Sequence, residues 1–151
     1  MSDLQDLYQE VIVDHSRRPH NFGPMPEATH HAEGFNPLCG DRLTLHLHVA
    51  DGVIQATRFE GSGCAISTAS ASLMTEALKG KTPQEAQALF AQVHALVTGA
   101  APADTPPLGK LRALGGVQQF PARVKCATLA WHALQAALRG EKAPVSTEEG
   151  M

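Results

Sequence analysis

Cys39 and Asp41 stand two residues apart in the turn Asn36-Pro37-Leu38-Cys39-Gly40-Asp41, and the chain holds two further cysteines, Cys64 and Cys126. In extended backbone, side chains at i and i+2 point the same way, so this thiol and carboxylate can face one ion from one side. With Cys64 and Cys126 the set becomes three sulfurs and one oxygen, which suits a tetrahedral zinc ion. Taken singly, each cysteine also reads as a small buried apolar residue, and Asp41 as a solvated turn residue or a cap. All three cysteines, however, sit beside glycine or at the start of a helical pattern, and none lies in the middle of an apolar stripe. Spacing alone therefore leaves a metal centre and packed thiols both open. Three cysteines cannot all pair within one chain, which favours thiol chemistry or metal binding over a disulfide framework. With no Cys-x-x-Cys pair, zinc-finger and thioredoxin arrangements have no support.

Other chemistry-bearing residues fit worse. His46 and His48 fall on the polar face of a strand pattern, and His15 and His132 read as helix-surface or hydrogen-bonded residues rather than ligands. Trp131, the single tryptophan, lies beside an apolar helical stripe and reads as core. Gly61-Ser62-Gly63 is not a nucleophile elbow, and no phosphate-binding loop is present.

The elements that must position the four candidates follow from periodicity. Ser2-Asp3-Leu4-Gln5 is a capping box, and Leu4, Leu7, Tyr8, Val11 and Ile12 continue it as an amphipathic helix that stops before Pro19. Residues 20–26 are turn-rich, and a first strand is predicted near His30 to Phe35. Leu43, Leu45, Leu47 and Val49 alternate with Thr44, His46 and His48, a strand with one buried face. Asp51-Gly52 turns it into a second arm, Val53 to Glu60. Gly61-Ser62-Gly63 ends that arm just before Cys64, where glycine lets the backbone come close to a bound ion.

A helix is predicted from Ala65 to Lys79 with Gly80 as its cap, which puts Cys64 at a helix entrance. Thr82-Pro83-Gln84-Glu85 caps another, through Phe90 and Val97 to Gly99. A proline-bearing loop follows over 100–109, then a short helical turn over 108–114 broken at Gly115-Gly116. Pro121 opens the last helix, which ends near Gly140, and Cys126 lies in its first turns, where unpaired N–H groups favour a thiolate. Residues 1–140 are expected to form one domain, and 141–151 a flexible tail.

Composition sets the outer bounds. At 151 residues, 43% of them hydrophobic and 18% charged, the chain is long enough and apolar enough for one globular core. A net charge of -3 makes nucleic acid and anionic membranes poor partners. The acidic start lacks a secretory pattern, and no apolar run approaches the roughly 18 residues a membrane helix needs. A cytoplasmic location is expected.

Four stretches together carry a family resemblance: Asp14-His15-Ser16-Arg17-Arg18-Pro19-His20-Asn21, Asn36-Pro37-Leu38-Cys39-Gly40-Asp41, Gly61-Ser62-Gly63-Cys64-Ala65-Ile66-Ser67, and Pro121-Ala122-Arg123-Val124-Lys125-Cys126-Ala127-Thr128-Leu129. The chain resembles the iron-sulfur cluster assembly proteins of the NifU N-terminal and IscU type, and within them the SufU branch. That resemblance implies an α+β domain, a small antiparallel three-stranded sheet packed against helices. It implies a metal centre of Cys39, Asp41, Cys64 and Cys126 holding Zn2+, with Cys39 the reactive thiolate.

The activity it implies is a sulfurtransferase that takes persulfide sulfur from a SufS-type cysteine desulfurase and passes it toward a SufBCD-type cluster scaffold. Two departures from IscU proteins bear on this. Lys125 stands where they carry histidine, and the segment from Gly99 to about Gln119 resembles the SufU insertion. The chaperone-binding segment of IscU proteins is matched only in part, by Pro121 and Arg123. The main alternative is a scaffold on which a 2Fe-2S cluster is assembled, and a further one is a structural zinc module in which Cys39 is inert.

Overall fold

The computed structural model describes residues 3–36, 40–99, 109–117, 120–140 and 145–146. Its elements run α1 (Asp3–Arg17), β1 (His30–Asn36), β2 (Asp41–Ala50), β3 (Val53–Ser62), α2 (Ala65–Leu78), α3 (Pro83–Thr98), a 3-10 helix (Gly109–Val117), α4 (Pro121–Arg139) and β4 (Val145–Ser146). The predicted class is the observed one: three antiparallel strands, ordered β3-β2-β1, packed against helices. Ser2 of the expected first capping box lies outside the described residues, as does the loop over 100–108. Within the segment expected as a tail, Val145 and Ser146 pair parallel to Gly34 and Phe35 of β1.

Alternation along β2 buries Leu43, Leu45 and Leu47 and turns Thr44, His46 and His48 outward, as expected. Asp51 and Gly52 make the hairpin turn with φ of 56° and 74°, the paired positive values of a type I′ turn. In β3, Ile54 and Phe59 are both buried although five residues apart, a spacing that a regular strand cannot put on one face. Between the pairs His48↔Ala56 and Val49↔Ile54 the register slips by one, so Gln55 is the extra residue of a bulge. The bulge restores the apolar face that strict alternation would break.

Helices α2 and α4 lie on that face, α2 over β3 and α4 over β1 and β2, with α1 and α3 behind them. α2 is enclosed on nearly every side, which its run of Ala69, Ser70, Ala71 and Ser72 permits by keeping side chains small. Trp131 is fully buried, as expected, and its indole N–H donates to Ser70 Oγ at 3.1 Å. α3 opens on the predicted capping box, with Thr82 Oγ1 accepting from Glu85 N–H and Glu85 Oε1 accepting from Thr82 N–H. Half-buried His132 stacks edge-on against Phe90, and burial, then the neighbouring His94, pulls its pKa below the usual histidine range.

The 3-10 helix departs from expectation, since it runs through Gly115-Gly116 instead of breaking there. Leu111, Leu114 and Val117 recur every third residue and are buried, and a 3-10 helix aligns that spacing on one face. Burial of this stripe overrides the weak helical preference of glycine.

Candidate metal centre

Three of the four residues singled out meet at one end of the sheet. Asp41 is the first residue of β2, and its parity with Leu43 and Leu45 turns the carboxylate inward, where it is 1% exposed. Cys64 is the N-cap of α2, with extended backbone, and its Sγ accepts from Ser67 N–H at 3.4 Å where a serine oxygen would ordinarily serve. Cys126 comes in from the second turn of α4 and is buried.

Cys64 N–H donates to Asp41 Oδ1 at 2.8 Å, and Cys64 Sγ stands 3.8 Å from Asp41 Oδ2. Donor atoms of Asp41, Cys64 and Cys126 all lie within 4.8 Å of one another. No described histidine belongs to the group. Cys39, two residues before Asp41, lies outside the described residues.

Two thiols and a carboxylate this close cannot all be charged unless a cation joins them. The Cys64 thiol is nonetheless pulled down to about 7, first by its hydrogen bond with Cys126 and then by Ser67 and Ile66 N–H groups. Burial and the Asp41 charge push the other way. The site thus holds thiolate character near neutral pH beside a buried carboxylate.

Tetrahedral zinc with Zn–S bonds of about 2.3 Å needs donors about 3.5 to 3.8 Å apart. The 3.8 Å between Cys64 Sγ and Asp41 Oδ2 matches that and all three donors lie within 4.8 Å, so these residues fit such an ion. They also fit thiolate-bound iron, because the donor chemistry is shared.

Two further residues support the site: Asn36, to which sequence reasoning assigns no role, and Gly63, whose role differs from the expected one. Asn36 pairs with Asp41 across β1 and β2, is fully buried, and donates from Nδ2 to Asp41 Oδ2 at 3.3 Å and Cys126 Sγ at 3.4 Å. It ends the inward stripe Ala32, Gly34, Asn36, and a polar residue closing such a stripe was the signal available. The pull of a helix terminus fades after the first turn. The Asn36 amide, by contrast, donates directly to Cys126 Sγ. Arg123, three residues before Cys126, is exposed and stacks its guanidinium 4.6 Å from the centre of the Phe120 ring.

Gly63 is the second. A Cβ there would fall 2.7 Å from Asp41 Oδ1 and 3.1 Å from its carboxyl carbon. Glycine lets the carboxylate sit against the backbone, where sequence reasoning had expected it to admit an ion. Gly63→Ala should cost about 1–3 kcal/mol and displace the carboxylate, weakening metal retention on the order of tenfold. A competitive chelator titration of both proteins measures this, and equal retention would free Asp41 from dependence on Gly63.

The fold and the site define a small α+β domain with two thiols and a buried carboxylate grouped at the end of the sheet. Residues 7–142 match the family model described as the NifU-like N terminal domain, and the chain belongs to that family. It is 40% identical over 141 residues to the zinc-dependent sulfurtransferase SufU of Bacillus subtilis, covering 93% of this chain and 95% of that one. It is 41% identical over 139 residues to the iron-sulfur cluster assembly scaffold protein IscU of Streptococcus pyogenes, covering 92% and 87%. A solved structure of a SUF-system scaffold protein from Fervidobacterium islandicum superposes with a TM-score of 0.77 at 35% identity, over 89% of this chain and 98% of that one.

Proposed function

We propose that this chain works in iron-sulfur cluster assembly as a zinc-dependent sulfurtransferase, with Cys39, Asp41, Cys64 and Cys126 as metal ligands. The observation that carries the proposal is the meeting of Asp41, Cys64 and Cys126 within 4.8 Å, with no described histidine among them. A bound zinc ion supplies positive charge that keeps its thiols deprotonated at neutral pH, where a free thiol with pKa about 8.5 is mostly protonated.

The chain's own residues do the rest. Asp41, fixed by Asn36 and Cys64 N–H, holds the carboxylate ligand in place. Cys64 and Cys126 hold theirs from two helices. Cys39, between Pro37 and Gly40 in sequence, is the thiolate that reacts.

Cys39 Sγ attacks the terminal sulfur of a persulfide on a SufS-type cysteine desulfurase. A new S–S bond forms on Cys39, the desulfurase S–S bond breaks, and the desulfurase cysteine leaves as a thiolate. No net oxidation occurs. A SufBCD-type scaffold is the proposed destination of the sulfur.

The second reading, a scaffold for a 2Fe-2S cluster, is favoured by the name of the Streptococcus relative, which is as similar as the sulfurtransferase. Lys125 in place of the histidine of IscU proteins favours the carrier. Metal analysis of protein purified without added metal discriminates the two. Stoichiometric zinc is expected, with Asp41→Ala weakening retention about 10- to 100-fold. A brown protein with a stable cluster on anaerobic isolation would favour the scaffold, and undiminished zinc affinity in Asp41→Ala would remove Asp41 from the ligand set.

A further inference from the structure

A second convergence of metal-binding groups lies away from the cysteines, where the end of α1 meets α2. It takes Asp14 and His15 from α1, His20 from the segment that follows, and Glu76 from α2. One donor atom each of Asp14, His15 and His20 lies within 4.8 Å of the others. Glu76 Oε1 stands 3.0 Å from His20 Nδ1 and 3.5 Å from His15 Nε2. The two imidazole rings are 4.4 Å apart. We propose that these four residues form a second metal site, for a divalent first-row transition cation bound through nitrogen and oxygen alone.

Geometry is the first support. Donors around a tetrahedral ion with bonds of about 2.0–2.1 Å are separated by about 3.4 Å, and the distances from Glu76 to the two histidines, 3.0 and 3.5 Å, bracket that value, while Asp14 flanks the same histidines within 4.8 Å. Orientation is the second. His15 is 1% exposed, and its Nδ1 lies 2.7 Å from Ser72 Oγ. The same oxygen accepts from His20 N–H, also at 2.7 Å. A hydroxyl oxygen has two lone pairs, so it can also accept from His15 Nδ1–H. That tautomer aims the Nε2 lone pair at Glu76, in the manner of hydrogen bonds that orient a ligating histidine. Ser72 thereby touches both the His15 ring and the backbone of His20.

Charge and access agree with this. Two carboxylates with two neutral imidazoles make a site of net charge -2, which a divalent cation neutralises, and mixed imidazole and carboxylate donors suit zinc or ferrous iron. His20 and Glu76 are 38% and 39% exposed, so a cation can arrive from solvent and meet the buried His15. Without a cation the same groups would make only a histidine–glutamate ion pair joining the segment after α1 to α2.

Cobalt(II) separates the possibilities, because thiolate ligation gives an intense near-ultraviolet charge-transfer band and nitrogen–oxygen ligation gives only weak visible bands. The full chain as isolated is titrated with Co2+ beside His20→Ala and Glu76→Gln, both changed at half-exposed positions that spare buried His15. The parent should bind one Co2+ per chain without any thiolate band, and each variant should weaken that class by about tenfold or more. The thiolate band reports the cysteine centre separately, so failure of that centre would not be mistaken for failure of this one. Absence of the thiolate-free class in the parent, or equal affinity in either variant, would overturn the second site.

Discussion

Cys39→Ala should bring sulfur transfer down to the rate of the desulfurase alone, while leaving the fold and most of the metal affinity in place. The reason is a division of labour among the ligands. Asp41, Cys64 and Cys126 are anchored by a strand end, a helix cap and a helix interior, with Asn36 and Gly63 fitted around them. Cys39, which lies between β1 and β2 in the sequence, is the proposed fourth donor, so its loss would leave three donors and room for water, a coordination familiar from catalytic zinc.

Attack on the persulfide would have no substitute, because the other two thiols are the proposed ligands of the ion. The check is desulfurase turnover with cysteine, followed by mass analysis of the recovered chain. The parent should carry one additional sulfur on Cys39 and the variant none. A Cys39→Ala chain that stimulates its desulfurase as well as the parent does would sink the carrier mechanism. The same result would be expected of a structural zinc module, whose Cys39 is inert.

How much of this was legible beforehand differs by element. The β2 and β3 hairpin was readable because Leu43, Leu45 and Leu47 alternate without exception and Asp51-Gly52 marks its turn. The bulge at Gln55 was not, since a one-residue slip leaves no compositional trace. Gly115-Gly116 misled because local preference argues for a break, whereas burial of Leu111, Leu114 and Val117 is a tertiary fact.

For the centre, Asp41, Cys64 and Cys126 were chosen by residue type and placement, and the fold brings them together. Asn36 stayed hidden because its role comes from strand pairing with Asp41. The cluster of His15 and His20 was passed over because His15, taken singly, reads as a helix-surface or hydrogen-bonded residue and His20 falls in a turn-rich connection. Only the packing of α1 on α2 puts Glu76 and Ser72 beside both.

Stripping the metal should destabilise the protein strongly, and the loss should shrink as pH falls. Asn36, Asp41 and Cys126 are at most 2% exposed, so a bound ion would compensate charge in a place where water cannot. A ligand held a thousandfold above its dissociation constant stabilises by about 4 kcal/mol, which corresponds to a Tm change of about 8 to 16 °C in a chain of this size.

Protons compete with the ion for the same thiols and carboxylate, so affinity falls with pH. For the stripped protein, the Cys64 pKa is lowered from 9.0 to about 7 on folding. A lowered pKa gives stability that is present above the unfolded value and lost as pH falls through the folded one. Both the stripped and the loaded protein therefore weaken toward acid, but the loaded one loses more, because it also loses its ion. Thermal unfolding with and without chelator, from pH 8 to pH 5, should show the gap between the two curves widest at pH 8 and nearly closed at pH 5. A gap of constant width would mean that the stabilising ion is held by groups other than these thiols.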